Sequence, residues 1–414
     1  MHLLNTLKNI FSKRAVWPFL GLGLASQAPL YLIGGTLKSW FKMEGVDLTQ
    51  IGLFSLVLIP YSIKFLWAPF IDSVNLPGAR LVGRKKAWGF LTQIILIGLL
   101  WTLSYLHPAS DILPIFCICL MIAFAASTQE TVADALRIDT LNGEYLKAGC
   151  SAYEFGMRLG NLSAVGGMLF LSEQTSWPFA YQASCLLIAI GVLSLCCIHG
   201  KPIAPKEVHV QQMVTAPFLD LVKYQDFWIL CLFVVAYKLC NCMLGPMAYP
   251  FYFDIGFTRA QVGIVSGTFG VFVTMTGVLL GGVAMLKWNY KQLLLWLGGI
   301  EILTSVAFAV FALIGPSMPA FFMVILFDNI LAGMGGVVWI AYLSSLCNRA
   351  YSATQYAFFN ALNMIPLSIL ASASGFLAKH MGWPIFFMFT GVLMLPALWM
   401  IKKGYPFQEK ISSK

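Results

Sequence analysis

Long apolar stretches recur along the whole chain and are separated by short polar segments. They lie near residues 15–35, 48–70, 87–107, 112–136, 149–171, 178–199, 226–250, 260–284, 292–314, 319–345, 355–379 and 384–401. A helix of about 20 apolar residues crosses the roughly 30 Å hydrocarbon core of a bilayer. The pattern therefore predicts twelve transmembrane helices and an all-α polytopic membrane protein.

The composition agrees with this prediction. Of the 414 residues, 59% are hydrophobic and only 10% are charged, whereas soluble domains carry about 25% charged residues. The ten cysteines and five histidines form no C-x-x-C motif and show no ligand-like spacing, so neither a metal site nor a disulfide framework is predicted. Lys8, Lys13 and Arg14 precede the first stretch, which is interpreted as a retained span because no small-residue cleavage site follows it.

The distribution of lysine and arginine predicts the orientation. With the N-terminus inside, 19 of the 26 basic residues fall in inner loops and tails and four in outer loops. Because cytoplasmic loops of membrane proteins are enriched in these residues, both termini are predicted to be cytoplasmic. The same bias explains the net charge of +9, which is therefore not taken to indicate nucleic-acid binding.

The longest polar segment, 200–225, divides the chain into a first half at 1–199 and a second half at 226–414, each with six predicted spans. Asp72 and the cluster Arg84, Lys85 and Lys86 follow the second span, and GGVAMLKWNYKQ is a fainter echo in the second half. Two six-span halves joined by an inner linker are typical of the major facilitator fold, and this loop resembles that superfamily's gating loop. A basic cluster can also serve topology alone. The residues predicted to act in gating are Asp72, Arg84, Lys85, Lys86, Arg137 and Asp139.

Charged side chains inside the spans are the candidate functional residues, since each costs about 2.5–3.5 kcal/mol to place at mid-membrane. The count from sequence gives three cations, Lys64, Arg158 and Lys238, and four carboxylates, Glu130, Asp134, Glu154 and Asp328. A carboxylate without a full partner is suited to carry a proton, and Glu130, Asp134 and Asp328 are predicted to couple transport to protons. Asp134 could instead pair with Arg137, which would remove the surplus.

Further polar residues are predicted to line a ligand cavity. Lys64 either extends towards the cytoplasm or pairs with a carboxylate of the fourth span. Lys238 is predicted near mid-depth, with Asn241 on the same face one turn later. Arg158 is the expected partner of a substrate carboxylate unless Glu154 already occupies it. The predicted substrate-binding residues are Tyr61, Lys64, Gln129, Tyr153, Glu154, Arg158, Asn161, Lys238, Asn241 and Asn329.

Several segments together resemble the AmpG-type muropeptide permeases. They are YSIKFLWAPFID (61–72), GRKKAWGFLTQ (83–93), STQETVADALRID (127–139), YEFGMRLG (153–160), YKLCN (237–241), FDNILAGMGG (327–336) and SATQYAFF (352–359). The resemblance implies proton-driven import of N-acetylglucosaminyl-1,6-anhydro-N-acetylmuramic acid and its peptide-bearing forms across the bacterial inner membrane. We expect a monomer in the lipid bilayer, with a proton gradient in place of a cofactor and with no nucleic-acid partner.

The chain departs from that family at three places. Asn241 stands where an acid is expected, Glu154 stands where an apolar residue is usual, and NALNMIPL (360–367) lacks an expected arginine. A paralogue with a shifted substrate is therefore an alternative, as is the same fold carrying acetyl-CoA or another sugar or peptide conjugate. Three cations fit a multiply anionic nucleotide poorly. No H-E-x-x-H or G-x-S-x-G motif is present, so the chain is not predicted to be an enzyme; a transporter relic acting as a sensor or scaffold is left open.

Overall fold

The computed structural model describes residues 15–108, 110–198, 210–223 and 226–405, and within these ranges all regular structure is helical. Both chain ends and, within the predicted linker at 200–225, residues 200–209 and 224–225 lie outside the described residues. The described part of that linker forms a helix, Val210–Val222.

Helices of very different length make up the first part of the chain. The α-helices are α1 (Trp17–Tyr31), α2 (Leu37–Met43), α3 (Leu48–Leu53), α4 (Ile59–Ile63), α5 (Ala68–Ser73), α6 (Ala79–Val82), α7 (Arg84–Leu103), α8 (Ile112–Thr140), α9 (Gly143–Leu162), α10 (Met168–Gln174) and α11 (Trp177–Cys197). Turns of π-helix at Leu32–Thr36 and Ser163–Gly167 join α1 to α2 and α9 to α10. Turns of 3₁₀-helix at Phe54–Leu58 and Lys64–Leu66 interrupt the second predicted span.

The rest of the chain follows the same plan. Its α-helices are α12 (Val210–Val222), α13 (Phe227–Ala236), α14 (Leu239–Asp254), α15 (Arg259–Val262), α16 (Gly270–Lys287), α17 (Tyr290–Ile314), α18 (Met318–Leu346), α19 (Ser352–Met381), α20 (Trp383–Val392) and α21 (Leu395–Lys403). A π-turn at Gly263–Phe269 joins α15 to α16, and a 3₁₀ turn at Arg349–Tyr351 precedes α19.

Within the described residues, eight helical stretches are long and apolar enough to cross a membrane. They are Arg84–Leu103, Ile112–Thr140, Trp177–Cys197, Phe227–Asp254, Ala260–Lys287, Tyr290–Ile314, Met318–Leu346 and Trp383–Lys403. Helical segments also occupy the other four predicted spans, near 15–35, 48–70, 149–171 and 355–379. The number twelve and the cytoplasmic placement of both termini stay predictions.

The chain forms two compact units. The first comprises residues 1–217 together with 344–357, and the second comprises 218–343 together with 358–414. The segment Ser344–Ala357, which follows the tenth predicted span, therefore belongs to the first unit. The predicted halves at 1–199 and 226–414 stay a prediction.

Small residues allow close helix packing where the site residues lie. In the first unit, a Cβ atom on Gly23 would meet the carbonyl of Tyr153, and one on Gly156 would meet the carbonyl of Leu20. In the second unit, a Cβ atom on Gly333 would meet the carbonyl of Thr274. Glycine is thus required for the contact of α1 with α9 and of α16 with α18. These contacts fix the helices that carry the charged side chains.

Candidate functional site

Lys64 forms an ion pair inside the first unit. It lies in the 3₁₀ turn between α4 and α5, and its Nζ is 3.0 Å from Oε2 of Glu130 on α8. The lysine side chain is only 6% exposed. Of the two interpretations offered from the sequence, the structure therefore agrees with a pair to a carboxylate of the fourth span and not with extension towards the cytoplasm. Trp67 Nε1 donates a hydrogen bond to Thr128 Oγ1 at 3.0 Å and ties the same turn to α8.

Asp134 and Arg137 form a second ion pair one turn further along α8, with Arg137 Nη1 at 2.9 Å from Asp134 Oδ1. The sequence count assigned Arg137 to an inner loop, and this placement is wrong because its side chain is fully buried in α8. Its guanidinium carbon lies 4.6 Å from the ring centroid of Tyr153 and 5.4 Å from that of Tyr356. Asp134 therefore has a basic partner and is not the carboxylate left without one.

Glu154 and Arg158 form a third pair on α9. Arg158 Nη2 donates to Glu154 Oε1 at 2.7 Å, and the glutamate is buried while the arginine side chain is 34% exposed. The acid that departs from the family pattern therefore already pairs with the arginine expected to bind a substrate carboxylate. Asn161, also on α9, is half-buried.

Several buried polar groups of the first unit lack hydrogen-bond partners among the described residues, and the predicted binding residues Tyr61, Gln129 and Tyr153 are among them. Both amide atoms of Gln129 are buried without a hydrogen bond, and so is the hydroxyl oxygen of Tyr61. Buried polar atoms in native proteins are nearly always satisfied by protein, water or ligand. These predicted binding residues therefore retain hydrogen-bonding capacity for a ligand or for water.

A further charged cluster in the first unit brings together three of the predicted gating residues, Asp72, Lys85 and Asp139. Lys85 Nζ lies 3.2 Å from Asp72 Oδ1 and 2.7 Å from Asp139 Oδ2. Lys85 is buried, whereas Arg84 and Lys86 are half-buried. The structure therefore brings Asp72, Lys85 and Asp139 together, and Lys85 is the member of the basic cluster that contacts both acids.

The start of α19 completes this cluster. Asp72 accepts hydrogen bonds from the backbone N–H of Ala353 at 3.3 Å and from the backbone N–H and hydroxyl of Thr354, each at 2.8 Å. Ser352 Oγ donates to Asp139 at 2.7 Å and accepts from Lys85 at 2.5 Å. A carboxylate at a helix N-terminus satisfies otherwise unpaired N–H groups and interacts favourably with the helix dipole.

The second unit contains a polar cavity of about 50 Å³. Three charged side chains line it: Lys238, Glu301 and Asp328. Asn241, Thr304, Gly335 and Gly336 are also among its lining residues. Lys238 and Asn241 therefore share one face, as their spacing predicted.

Lys238 lies where the helix is interrupted between α13 and α14. Its Nζ is 5.2 Å from the ring centroid of Trp339, and this ring stacks on Tyr237 at 4.9 Å. A cation over an indole face is stabilised by the ring quadrupole. Broken helices near mid-membrane are a recurring feature of transporter sites.

Asn329, although adjacent to Asp328, has a different environment. Its Oδ1 accepts a hydrogen bond from Thr274 Oγ1 at 2.8 Å, and its Nδ2 donates to the carbonyl of Ile325 at 3.0 Å. It joins α18 to α16 and is not among the residues lining the polar cavity. Its predicted role in substrate binding stays a prediction.

Glu301 is the functional candidate that the sequence count missed. It lies in α17, within the predicted span 292–314, so the count of four intramembrane carboxylates is wrong by one. The signal was present in the sequence as a single acid within LGGIEILT. The three acids in the spans of the first unit, Glu130, Asp134 and Glu154, each pair with a base.

The carboxylate without a basic partner of its own therefore lies in the second unit, where Glu301 and Asp328 share one lysine.

A second cavity, of about 570 Å³, lies in the first unit between α4, α7 and α8. Its lining residues include Pro60, Trp88, Leu120 and Phe124, and none of its lining residues is charged. It contains none of the predicted site residues. It is therefore not a candidate for binding a charged substrate.

Comparison with known proteins places these residues in a family. A model of the Major Facilitator Superfamily matches residues 9–371. The AmpG 4 protein of Rickettsia felis is 30% identical over 404 residues, covering 95% of this chain and 97% of that protein. The anhydromuropeptide permease of Escherichia coli K12 is 30% identical over 380 residues, covering 91% of this chain and 77% of that protein.

A solved structure gives the same fold. The proton:xylose symporter XylE superposes with a TM-score of 0.70 at 14% identity, covering 96% of each chain. The predicted major facilitator fold is confirmed, and the relatives are transporters and not enzymes. This chain is a polytopic membrane transporter of the Major Facilitator Superfamily and belongs to its AmpG-type permeases.

Proposed function

We propose that the protein imports anhydromuropeptides from cell-wall turnover across the bacterial inner membrane, driven by protons. The observation that carries the proposal is the similarity to an anhydromuropeptide permease over 91% of this chain. The substrate is the disaccharide N-acetylglucosaminyl-1,6-anhydro-N-acetylmuramic acid, with or without its peptide.

The polar groups described above support this substrate chemistry. A sugar with hydroxyl and acetamido groups needs hydrogen-bond donors and acceptors that are not already used within the protein. The amide of Gln129 and the hydroxyl of Tyr61 meet that requirement in the first unit. In the second unit, Lys238 and Asn241 offer an ammonium and an amide to the cavity.

The charge of the polar cavity argues against a nucleotide substrate such as acetyl-CoA. One ammonium and two carboxylates line it, so its net charge is negative when all three are ionised. Several phosphates would be repelled there. A substrate with a single carboxylate requires the neutralisation of only one charge.

Of the three acids predicted to couple transport to protons, Asp328 is the best supported. Glu130 and Asp134 each have a basic partner within 3.0 Å, so deprotonation leaves a balanced ion pair. Asp328 shares its cavity with a second acid and one lysine. Coupling through Glu130 or Asp134 stays a prediction.

One proton moving with one substrate carboxylate makes transport electrically neutral, so the pH gradient alone drives it. A gradient of one pH unit supplies about 1.36 kcal/mol, which supports about tenfold accumulation per coupled proton. A peptide-bearing substrate with more carboxylates would need more protons for the same balance.

The cluster of Asp72, Lys85 and Asp139 is proposed to act as a cytoplasmic gate. Its contacts hold the segment from Ser344 to Ala357 against the rest of the first unit through the start of α19. Opening requires these contacts to break together, because Lys85 bridges both acids. Arg137 adds a hydrogen bond from Nη2 to Ser344 Oγ at 3.3 Å.

The test is uptake by the purified protein in liposomes. Radiolabelled disaccharide should accumulate inside when the inner pH is one unit above the outer pH, by up to about tenfold for one coupled proton. A membrane potential of either sign without a pH gradient should give little accumulation. Acetyl-CoA serves as the comparison substrate, and its accumulation without that of the disaccharide would overturn the proposal.

A further inference from the structure

Glu301 has no role in the predictions made from sequence, yet it lines the charged cavity described above in the second unit. It comes from α17, Asp328 comes from α18, and Lys238 comes from the break between α13 and α14. The cavity of about 50 Å³ has room for about three water molecules. Three separate elements thus direct ionisable groups into one small volume.

The charges in this volume do not balance. Two carboxylates face one ammonium, and Oε1 of Glu301 is buried with no hydrogen-bond partner among the described residues. An ionised carboxylate deprived of water is stable only when it is paired and hydrogen-bonded. The cluster therefore becomes neutral only when one proton is bound.

No other described group facing Glu301 supplies the missing charge. The titratable neighbours on α13, α14 and the residues between them are Tyr237, Cys240 and Cys242, which are neutral near pH 7. From α20, Thr390 reaches Ser305 on the same helix as Glu301, and it carries no charge. The lysines of the flanking helices α16 and α21, namely Lys287, Lys402 and Lys403, are exposed at the helix ends.

We propose that Glu301 and Asp328 share one proton, and that binding of this proton is the condition for binding an anionic substrate in the second unit. Lys238 pairs with whichever acid is ionised. The inference rests on the proposed function and deepens it by naming the proton-binding group. With the proton absent, the cluster carries one negative charge and repels the substrate carboxylate.

The same reasoning separates this cluster from the acids of the first unit's spans. Glu130, Asp134 and Glu154 each have one basic partner. Removal of a proton from any of them leaves a neutral pair. The second unit is where a proton changes the net charge that the substrate meets.

The decisive variant is Glu301→Gln, which leaves Lys238 and Asp328 as a balanced pair. Proton uptake on binding the disaccharide is measured with a pH indicator in weakly buffered detergent solution, at a pH above that at which the substrate-free cluster releases its proton. It should fall from about one per substrate in the wild type to about zero in the variant. Accumulation driven by one pH unit should fall from about tenfold to onefold. Exchange of labelled for unlabelled disaccharide at equal pH should continue.

Glu173→Gln is the matched control, because Glu173 is exposed near the end of α10. It should accumulate and take up protons like the wild type. Glu301→Asp keeps a carboxylate and should retain driven uptake, which separates loss of the proton site from a failure to fold.

The outcomes are distinguishable. If the wild type does not accumulate the disaccharide, the proposed function fails and this inference fails with it. If the wild type accumulates it and Glu301→Gln does so equally with the same proton uptake, only the inference is overturned. Loss of exchange together with driven uptake in Glu301→Gln, or loss of driven uptake in Glu301→Asp, would also overturn it.

Discussion

Two lysines of this transporter each share a site with two carboxylates, and the sites balance their charge in different ways. Lys85 contacts Asp72 and Asp139, and the extra negative charge lies at the N-terminus of α19, where backbone N–H groups donate to Asp72. Lys238 shares its cavity with Glu301 and Asp328, where Oε1 of Glu301 has no hydrogen-bond partner among the described residues.

The types of charged residue in a cluster do not by themselves show whether the cluster can bind a proton. In the first unit, one base and two acids form a cluster whose acids accept hydrogen bonds from several donors. In the second unit, the same set of charges is a candidate proton site. What separates them is the supply of hydrogen-bond donors, since donors can stabilise a buried carboxylate as a proton does. Substitutions at both clusters therefore test the comparison directly.

The largest effect is expected from Lys85→Gln. The side chains of Lys85, Asp72 and Asp139 are 6%, 2% and 9% exposed, and removal of a buried cation from its partners costs about 3–5 kcal/mol. Thermal unfolding of the purified protein in detergent measures the loss. Lys86→Gln, at the half-buried neighbouring residue, should change the free energy of unfolding by less than about 0.5 kcal/mol. Equal losses in both variants would mean that Lys85 is not the bridging residue.

Asp72→Asn should have the next largest effect. The variant leaves Lys85 paired with Asp139 but replaces a charged acceptor of three hydrogen bonds from Ala353 and Thr354. A hydrogen bond to a charged group contributes about 1.5–3 kcal/mol, so a loss of about 2 kcal/mol is expected by the same unfolding measurement. Thr354→Val removes only the hydroxyl donor and should cost about 1 kcal/mol. A larger loss in Thr354→Val than in Asp72→Asn would contradict the role of the carboxylate.

Lys238→Gln should give a loss that depends on pH and that is smaller than the loss in Asp72→Asn at the acidic end of the range. Without the ammonium, the folded cluster must hold two protons instead of one, whereas the carboxylates of the unfolded chain are ionised above about pH 5. Stability therefore falls as pH rises, by about 1.4 kcal/mol per pH unit more steeply than in the wild type. Unfolding temperatures between about pH 5.5 and 8 would show this slope. A loss independent of pH, like that of Lys85→Gln, would remove the distinction between the clusters; Lys287→Gln at an exposed residue is the control.

Glu301→Gln should have the smallest effect on stability, because it leaves one acid for one base. Replacement of an unmatched buried charge is often neutral or stabilising, so the free energy of unfolding near neutral pH should stay within about 1 kcal/mol of the wild type. The pH dependence of unfolding should become flatter. A loss as large as that of Asp72→Asn would show that the glutamate is structurally required, which would weaken the comparison.

The class of the protein and most of the charged residues in its candidate sites could be predicted from the sequence. The apolar stretches are long enough to cross a bilayer. They are predicted to be helical because a helix pairs its backbone N–H and C=O groups within the segment, and unpaired groups are costly in lipid. The motifs around Asp72 and Asp134 led to the family, since those residues and their spacing are local in the chain. Helix spacing also predicted that Lys238 and Asn241 would share a face.

Which charged side chains pair with each other could be seen only in the tertiary structure. The pair of Lys64 with Glu130 joins residues 66 positions apart in different helices, and the contact of Asp72 with Thr354 joins residues 282 apart. Helical periodicity gives the face on which a side chain lies. It does not give the partner helix, which depends on packing between residues far apart in the chain, as where α1 meets α9 at Gly23 and Gly156. The sequence count predicted one surplus carboxylate without assigning it to a half of the chain. The structure has it in the second unit, where one ammonium serves the two acids Glu301 and Asp328.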